Sequence, residues 1–288
     1  MTTDQPGSGS MVRRILLGSQ LRRLRESRGV TREDAGYSIR ASESKISRME
    51  LGRVSFKERD VADLLTLYGV TEPTERDALL GLAREASVAG WWHSYSDVLP
   101  GWFQTYVGLE ESASCIEIFE LQFVHGLLQT DAYARAVVLL GQPSASDDEV
   151  ERRVDLRLRR QKMLMGEKSP EFHAVLDEAA LRRPYGGPEV MRGQIERLLE
   201  VSELPHVTLH VMPFSFGGHA AETGAFTLLR FPDAELPDVV YLEQLTGALY
   251  LDKRDEVAQY VRVMDRLRAD SLSVKGTRDL LRSILQGA

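Results

Sequence analysis

The chain has 288 residues, 43% hydrophobic and 27% charged, which is enough for two domains with cores of their own. No apolar run approaches the ~20 residues that span a membrane, and the single cysteine, Cys115, excludes an internal disulfide framework and fits a reducing cytoplasm. The net charge of −7 argues against a general nucleic-acid coat, but it is unevenly spread: Met11–Arg59 carries 13 basic and 6 acidic residues, Asp60–Ala288 carries 23 and 36. One positive segment in an otherwise acidic chain favours contact with a polyanion through a single face, weakening as salt rises.

The first ten residues, MTTDQPGSGS, lack the basic start and apolar core of a secretion signal and are expected to form a disordered arm. Leu17, Leu21 and Leu24 then mark one stripe of a helix. Residues 31–53, TREDAGYSIRASESKISRMELGR, read as two short helices joined by a tight turn. Thr31 is placed to cap the first, with Asp34 three positions on, and Ser42 to cap the second. Ala35 and Gly36 are small where two helices must cross, and Ile39 sits in the turn. In the second helix Ile46 and Met49 share one face, while Ser44, Lys45 and Arg48 share another. One face suits a core and the other a polyanion, which is the pattern of a helix-turn-helix. Val61, Leu64, Leu65 and Tyr68 form a following stripe, and Thr74–Ala89 a closing helix, so residues 11–90 are expected to form an all-α bundle of five helices.

The stretch LRRLRESRGVTREDAGYSIRASESKISRMELGR resembles the DNA-binding domain of the phage-repressor-like (XRE-type) helix-turn-helix regulators, through Leu21, Leu24, Arg25, Gly29, Thr31, Ala35, Ser42, Ile46, Ser47, Glu50 and Gly52. That family often places a phosphate-touching glutamine where Arg32 stands, so the corresponding contact here is a charged one. The resemblance implies double-stranded DNA as partner. The residues expected to meet bases and phosphates are Arg32, Arg40, Ser42, Ser44, Lys45, Ser47, Arg48 and Arg53. Glu50 is expected to tie the helix to its neighbours, because a carboxylate facing phosphate is repelled. One such domain offers few contacts. A homodimer on an inverted repeat, with half-sites ~34 Å apart, reads twice the sequence.

Residues 91–288 are expected to form a larger α+β domain with a mostly antiparallel sheet. It opens with a crowded aromatic segment holding Trp91, Trp92, Tyr95, Trp102, Phe103 and Tyr106, read as an inter-domain wedge with a dimer surface as runner-up. Cys115–Val124 alternates like a strand, although Phe119 breaks strict period two. Thr130 caps a helix through Leu140, and Ser146 with Glu149 opens a longer one with the stripe Val150, Val154 and Leu158. Strands follow at 172–177, 207–214, 226–231, 239–244 and 249–251, with helices at 188–201, 253–269 and 274–285. The phrases HGLLQTDAYARAVV, RVDLRLRRQKML, LDEAALRRPYGG and VTLHVMPF are similar to a regulatory domain of actinobacterial sporulation and antibiotic-production regulators of the WhiJ-like type. His125 stands where that family usually has proline. The resemblance implies an antitoxin-like regulator that works with a small partner protein and responds to a small-molecule effector.

Nothing in the second half has the spacing of a nucleophile elbow, a phosphate loop or a zinc helix, so no enzyme activity, cofactor or metal is expected. His206, His210 and His219 suit a metal by proximity, but histidines that line or cap a sheet are the simpler reading. Asp177 and Glu178 most simply pair with Arg182 and Arg183. The basic run Arg152–Lys162 reads as a solvated face with intrahelical pairs, or as a strip, through Arg157 and Arg160, for an acidic partner protein. The whole describes a cytoplasmic, nucleoid-associated regulator. Its alternative is an antitoxin-like protein that neutralises a partner and uses DNA binding for autoregulation.

Overall fold

A computed structural model describes residues 10–232 and 236–287 of the chain. The expected arm at residues 1–10 lies, but for Ser10, outside the described residues. The chain divides into two compact units: one built on residues up to Ser94 with Gln104–Ser112, the other on Tyr95–Phe103, Ala113–Pro232 and Pro237 onward.

The first unit is helical: α1 (Ser10–Ser27), α2 (Arg32–Ser38), α3 (Glu43–Glu50), α4 (Glu58–Leu67) and α5 (Pro73–Ala86). Its core is the set of apolar stripes legible in the sequence. Leu17 and Leu21 of α1 meet Ala35, Ile39, Ile46 and Met49 from the second and third helices, and Val61, Leu64, Leu65 and Tyr68 from the fourth. Fully burying a side chain of this size is worth ~1.5–3 kcal/mol. The close approach of α1 to α3 requires glycine: a Cβ on Gly18 would lie 2.5 and 2.6 Å from the carbonyl oxygens of Met49 and Glu50. The aromatic segment forms a 3-10 turn, Trp91–Tyr95, and α6 (Gly101–Ser112), a helix that its crowded rings hid from periodicity. Trp92 and Tyr106 are fully buried, which withdraws both rings from the runner-up reading of a dimer surface.

The second unit holds β1 (Cys115–Glu120), α7 (Asp131–Gly141), α8 (Asp147–Gln161), β2 (Glu171–Asp177), α9 (Glu178–Arg182), α10 (Pro188–Val201), β3 (Val207–Met212), β4 (Phe226–Arg230), β5 (Val239–Gln244), β6 (Gly247–Leu251), α11 (Arg254–Asp270) and α12 (Val274–Gly287). The six strands form one sheet in the order β3-β2-β1-β4-β5-β6. Three of its five pairings are antiparallel, as expected of this α+β fold, and two are parallel. The parallel pairs fall where helices intervene, α7 and α8 between β1 and β2, and α9 and α10 between β2 and β3. In the antiparallel half β4, β5 and β6 follow one another along the chain, ending in a hairpin with Gln244 opposite Gly247, and β4 joins β1 across the intervening β2 and β3.

Phe119 breaks the period-two pattern for a physical reason. β1 is central and covered on both faces, so Ile116, Ile118 and Phe119 are all buried. Phe119 packs with Val175, Met212, Phe226 and Val240 against Val257, Met264 and Leu267 of α11. The outer edge of β3 is closed by the chain entering α12: Leu272 N–H donates to Val211 O (2.9 Å), and Val211 N–H to Thr277 Oγ1 (3.0 Å). Buried amides fix the loop after β1, for Gln194 donates to Leu128 O and accepts from Thr130 N–H, both at 2.8 Å. His125 in that loop holds φ −56°, the value a proline ring imposes, and its Nδ1 accepts from Leu127 N–H.

Cys115 is a free, half-buried thiol at the start of β1. Burial and the neighbouring Glu117 carboxylate push it up to about 11, so it is protonated at neutral pH. His206 and His210 each engage a separate backbone carbonyl, Leu164 O at 2.9 Å and Leu272 O at 2.8 Å, while His219 Nε2 lies 3.7 Å from Asp177 Oδ2. Glu178 pairs with Arg182 (2.9 Å), but Asp177 caps α9 by accepting from Ala179 N–H instead of pairing with Arg183. No helix among the described residues is long and apolar enough to cross a membrane.

Candidate nucleic-acid interface

The two central helices are set by local chemistry. Thr31 Oγ1 accepts from Asp34 N–H (3.0 Å) and donates to Asp34 Oδ2 (2.6 Å), and Ser42 Oγ accepts from Lys45 N–H (3.2 Å). Gly36 allows the crossing, since a Cβ there would stand 2.7 Å from Ala41 O. At the end of α3, Gly52 takes φ +66°, and Arg53 N–H closes on Arg48 O (2.8 Å).

A buried carboxylate locks this unit together. Glu50 receives the Nε of Arg25 on one oxygen, and Arg25 Nη2 (3.2 Å) and Arg32 Nε (3.0 Å) on the other. The hydrogen bond that Arg25 donates to Glu50 raises Arg25 above the usual arginine range. Arg25 Nη1 continues to Val30 O (2.9 Å), at the entry to α2. Three helices are thereby tied at one point, which is the tying role expected of Glu50.

The residues expected at DNA separate into two groups. Ser42, Ser44 and Arg48 are exposed along α3, and Arg40 is exposed in the turn. Arg48 Nε donates to Ser44 O (3.3 Å), so its guanidinium lies along the open face. Lys45 departs from the expectation. Its Nζ folds back onto Asp60 Oδ2 (2.9 Å), because Asp60 is buried, with its side chain 5% exposed, and requires a countercharge. Arg32 likewise gives its Nε to Glu50, and the phosphate contact expected of it gives way to a structural one. Ser47 and Arg53 are half-buried.

Tyr37 was not anticipated as an interface residue. It is 88% exposed, and with Ser38, Arg40, Ala41 and Ser42 it lines a shallow depression beside the start of α3. The available signal was a large ring opposite the Ala35 and Ile39 face of α2. Arg40 is the one non-glycine residue with positive φ among the described residues, at +56°. Ala41 N–H closes on Gly36 O (2.8 Å), so Arg40 occupies the helix-ending position that ordinarily goes to glycine. Holding an L-residue there costs ~1–2 kcal/mol. A long cation kept at that cost points to a role outside the fold.

Replacing Arg40 by glycine therefore separates fold from binding. Arg40→Gly is expected to raise unfolding stability by ~1 kcal/mol in chemical denaturation and to weaken duplex binding in the same preparation. Lower stability, or unchanged affinity, would remove Arg40 from the interface.

A helix-turn-helix domain family matches residues 16–79, which makes the first unit a DNA-binding domain and supports a role in transcription regulation. A second family matches residues 103–283 and is described as a domain of unknown function, DUF5753. No curated protein and no solved structure matches the chain. With that match covering more than half of its length, the chain belongs to the DUF5753 family, carrying a helix-turn-helix domain at its N-terminal side.

Proposed function

We propose that the chain is a sequence-specific transcriptional regulator of the XRE type, acting as a homodimer on an inverted-repeat operator by binding and not by catalysis. The observation that carries the reading is the two-sided character of α3. Ile46 and Met49 are 1% exposed on its inner side, while Ser44 and Arg48 stand open on the other. Ser44 and Arg48 address base edges, and Tyr37 and Arg40 address the backbone beside them. The local positive charge of residues 11–59 draws the face to DNA while the acidic remainder is repelled.

In this reading the second unit supplies dimerisation and responds to an effector, and the protein resides in the cytoplasm, at the nucleoid when bound. The antitoxin-like alternative is less favoured. Its docking strip needed Arg157 and Arg160 on a solvated face, but Arg160 is 5% exposed, with its guanidinium 5.1 Å from the centre of the Phe103 ring. The other charges of the run tie elements together: Arg152 pairs with Asp97 (2.7 Å), Glu151 with Arg135 (2.8 Å) and Asp155 with Tyr95 Oη (2.5 Å). Arg153–Glu149 (3.0 Å) is an intrahelical pair of the expected kind.

Arg48→Ala, measured by fluorescence anisotropy on the selected operator and on random duplex, is expected to cost ~1–3 kcal/mol on the operator alone. Equal losses on both would make Arg48 a phosphate contact and withdraw it from base reading. Adding half a turn, ~5 base pairs, between the half-sites is expected to abolish tight binding, because it puts the two recognition helices on opposite sides of the duplex. Undiminished affinity would exclude the symmetric dimer.

A further inference from the structure

The polar side of α3 carries two cations, and the fold treats them differently. Arg48 is exposed, its Nε donates to Ser44 O (3.3 Å), and it makes no ion pair among the described residues. Lys45 stands three residues earlier, on the same side of the helix. A third of its side chain is exposed (33%), yet its Nζ lies 2.9 Å from Asp60 Oδ2 in the first turn of α4.

The two ends of that pair are unequal. Asp60 is buried, and the start of a helix is a place where negative charge is favoured. The other cation beside it, Arg59, comes no nearer than 3.9 Å, from a side chain that is 79% exposed. Lys45 is therefore the close countercharge of a carboxylate that has left water. Two magnitudes decide where it stays when a duplex approaches. Stripping a buried charge of its partner typically costs ~100-fold or more in an equilibrium. An ammonium on a solvated phosphate is an exposed ion pair, and such pairs return at most ~5-fold. The tether to Asp60 wins.

We propose that Asp60 is a positioning residue of the DNA-facing surface: it holds the Lys45 ammonium off the phosphates and so removes one cation from the sequence-independent part of duplex binding. The inference rests on the assignment of this face to DNA made above. Being buried, Asp60 presents no exposed negative charge of its own to the duplex. Arg40 and Arg48 are left to make the charged contacts, and the grip on random sequence is weaker than the spacing of α3 alone would give. Each phosphate contact withheld in this way shortens the time spent on random sequence.

Binding of the full chain to a random-sequence duplex, followed by fluorescence anisotropy between ~50 and ~200 mM salt, tests it, since each phosphate contact steepens log affinity against log salt by ~0.9. Asp60→Asn keeps the shape of the side chain and loses its charge. It is expected to steepen the slope by ~0.9, so that its gain in affinity over the wild-type chain is ~3–4-fold larger at the low-salt end than at the high-salt end. Lys45→Met is then compared in two backgrounds. With Asp60 in place it is expected to leave the slope unchanged, and added to Asp60→Asn it is expected to restore the wild-type slope. No steepening in Asp60→Asn would make the pair a fold contact alone. Equal flattening by Lys45→Met in both backgrounds would mean that net charge governs, and either result overturns the proposal. If Asp60→Asn does not fold, Lys45→Met decides alone: an unchanged slope sustains the proposal, and one flatter by ~0.9 overturns it. A wild-type chain that binds no duplex at low salt would overturn the DNA reading and this inference with it. Wild-type binding without steepening in Asp60→Asn overturns this inference only.

Discussion

A carboxylate taken out of water at Glu50 is the constraint on which the DNA-facing surface rests. A buried charge of this kind is tolerated only when paired, and removing one partner of such a pair typically costs ~3–5 kcal/mol. Arg25 from α1 and Arg32 from α2 converge on it, so the angle between the recognition helix and its two neighbours is set by electrostatics as well as by packing. Gly18 lets α1 approach the α3 carbonyls closely enough for that convergence. With its inner face committed to Ile46, Met49 and Glu50, α3 has one surface left to offer. The Lys45–Asp60 pair acts in the same direction, tying α3 to α4.

The second unit applies the same rule with the opposite outcome. Of its buried amides, Gln161 and Gln194 bond loop carbonyls and an amide around residues 124–130, while Gln129 Oε1 is buried without a partner among the described residues. Glu117 is likewise held between Arg230 (2.9 Å) and Arg268 (3.2 Å). Arg157 and Glu120, by contrast, are half-buried and make no hydrogen bond or ion pair among the described residues.

Much of this was legible in the sequence wherever the determining interaction is local. The caps at Thr31, Ser42, Thr130 and Ser146 act over three residues, and each holds the amide expected of it. Pro188 at the first turn and the end at Val201 bound α10 as read. What escaped was non-local. Lys45 lies on the polar face of α3 by spacing, and only a carboxylate 15 residues later turns it inward. The parallel pairing of β1, β2 and β3 depends on helices crossing the sheet, which strand composition does not report. Arg160 sits in a basic run that reads as solvated, yet it is buried against Phe103. The strained turn at Arg40 is a backbone property, and the exposure of Tyr37 depends on which side of a short helix the core claims.

The most direct measurement is amide hydrogen exchange on the full chain with and without a selected operator duplex. Slowed exchange confined to the end of α2, the Ile39–Ala41 turn and α3 is the expected result. Protection elsewhere with none on α3, or no protection at low ionic strength, would contradict the assignment of this face to DNA.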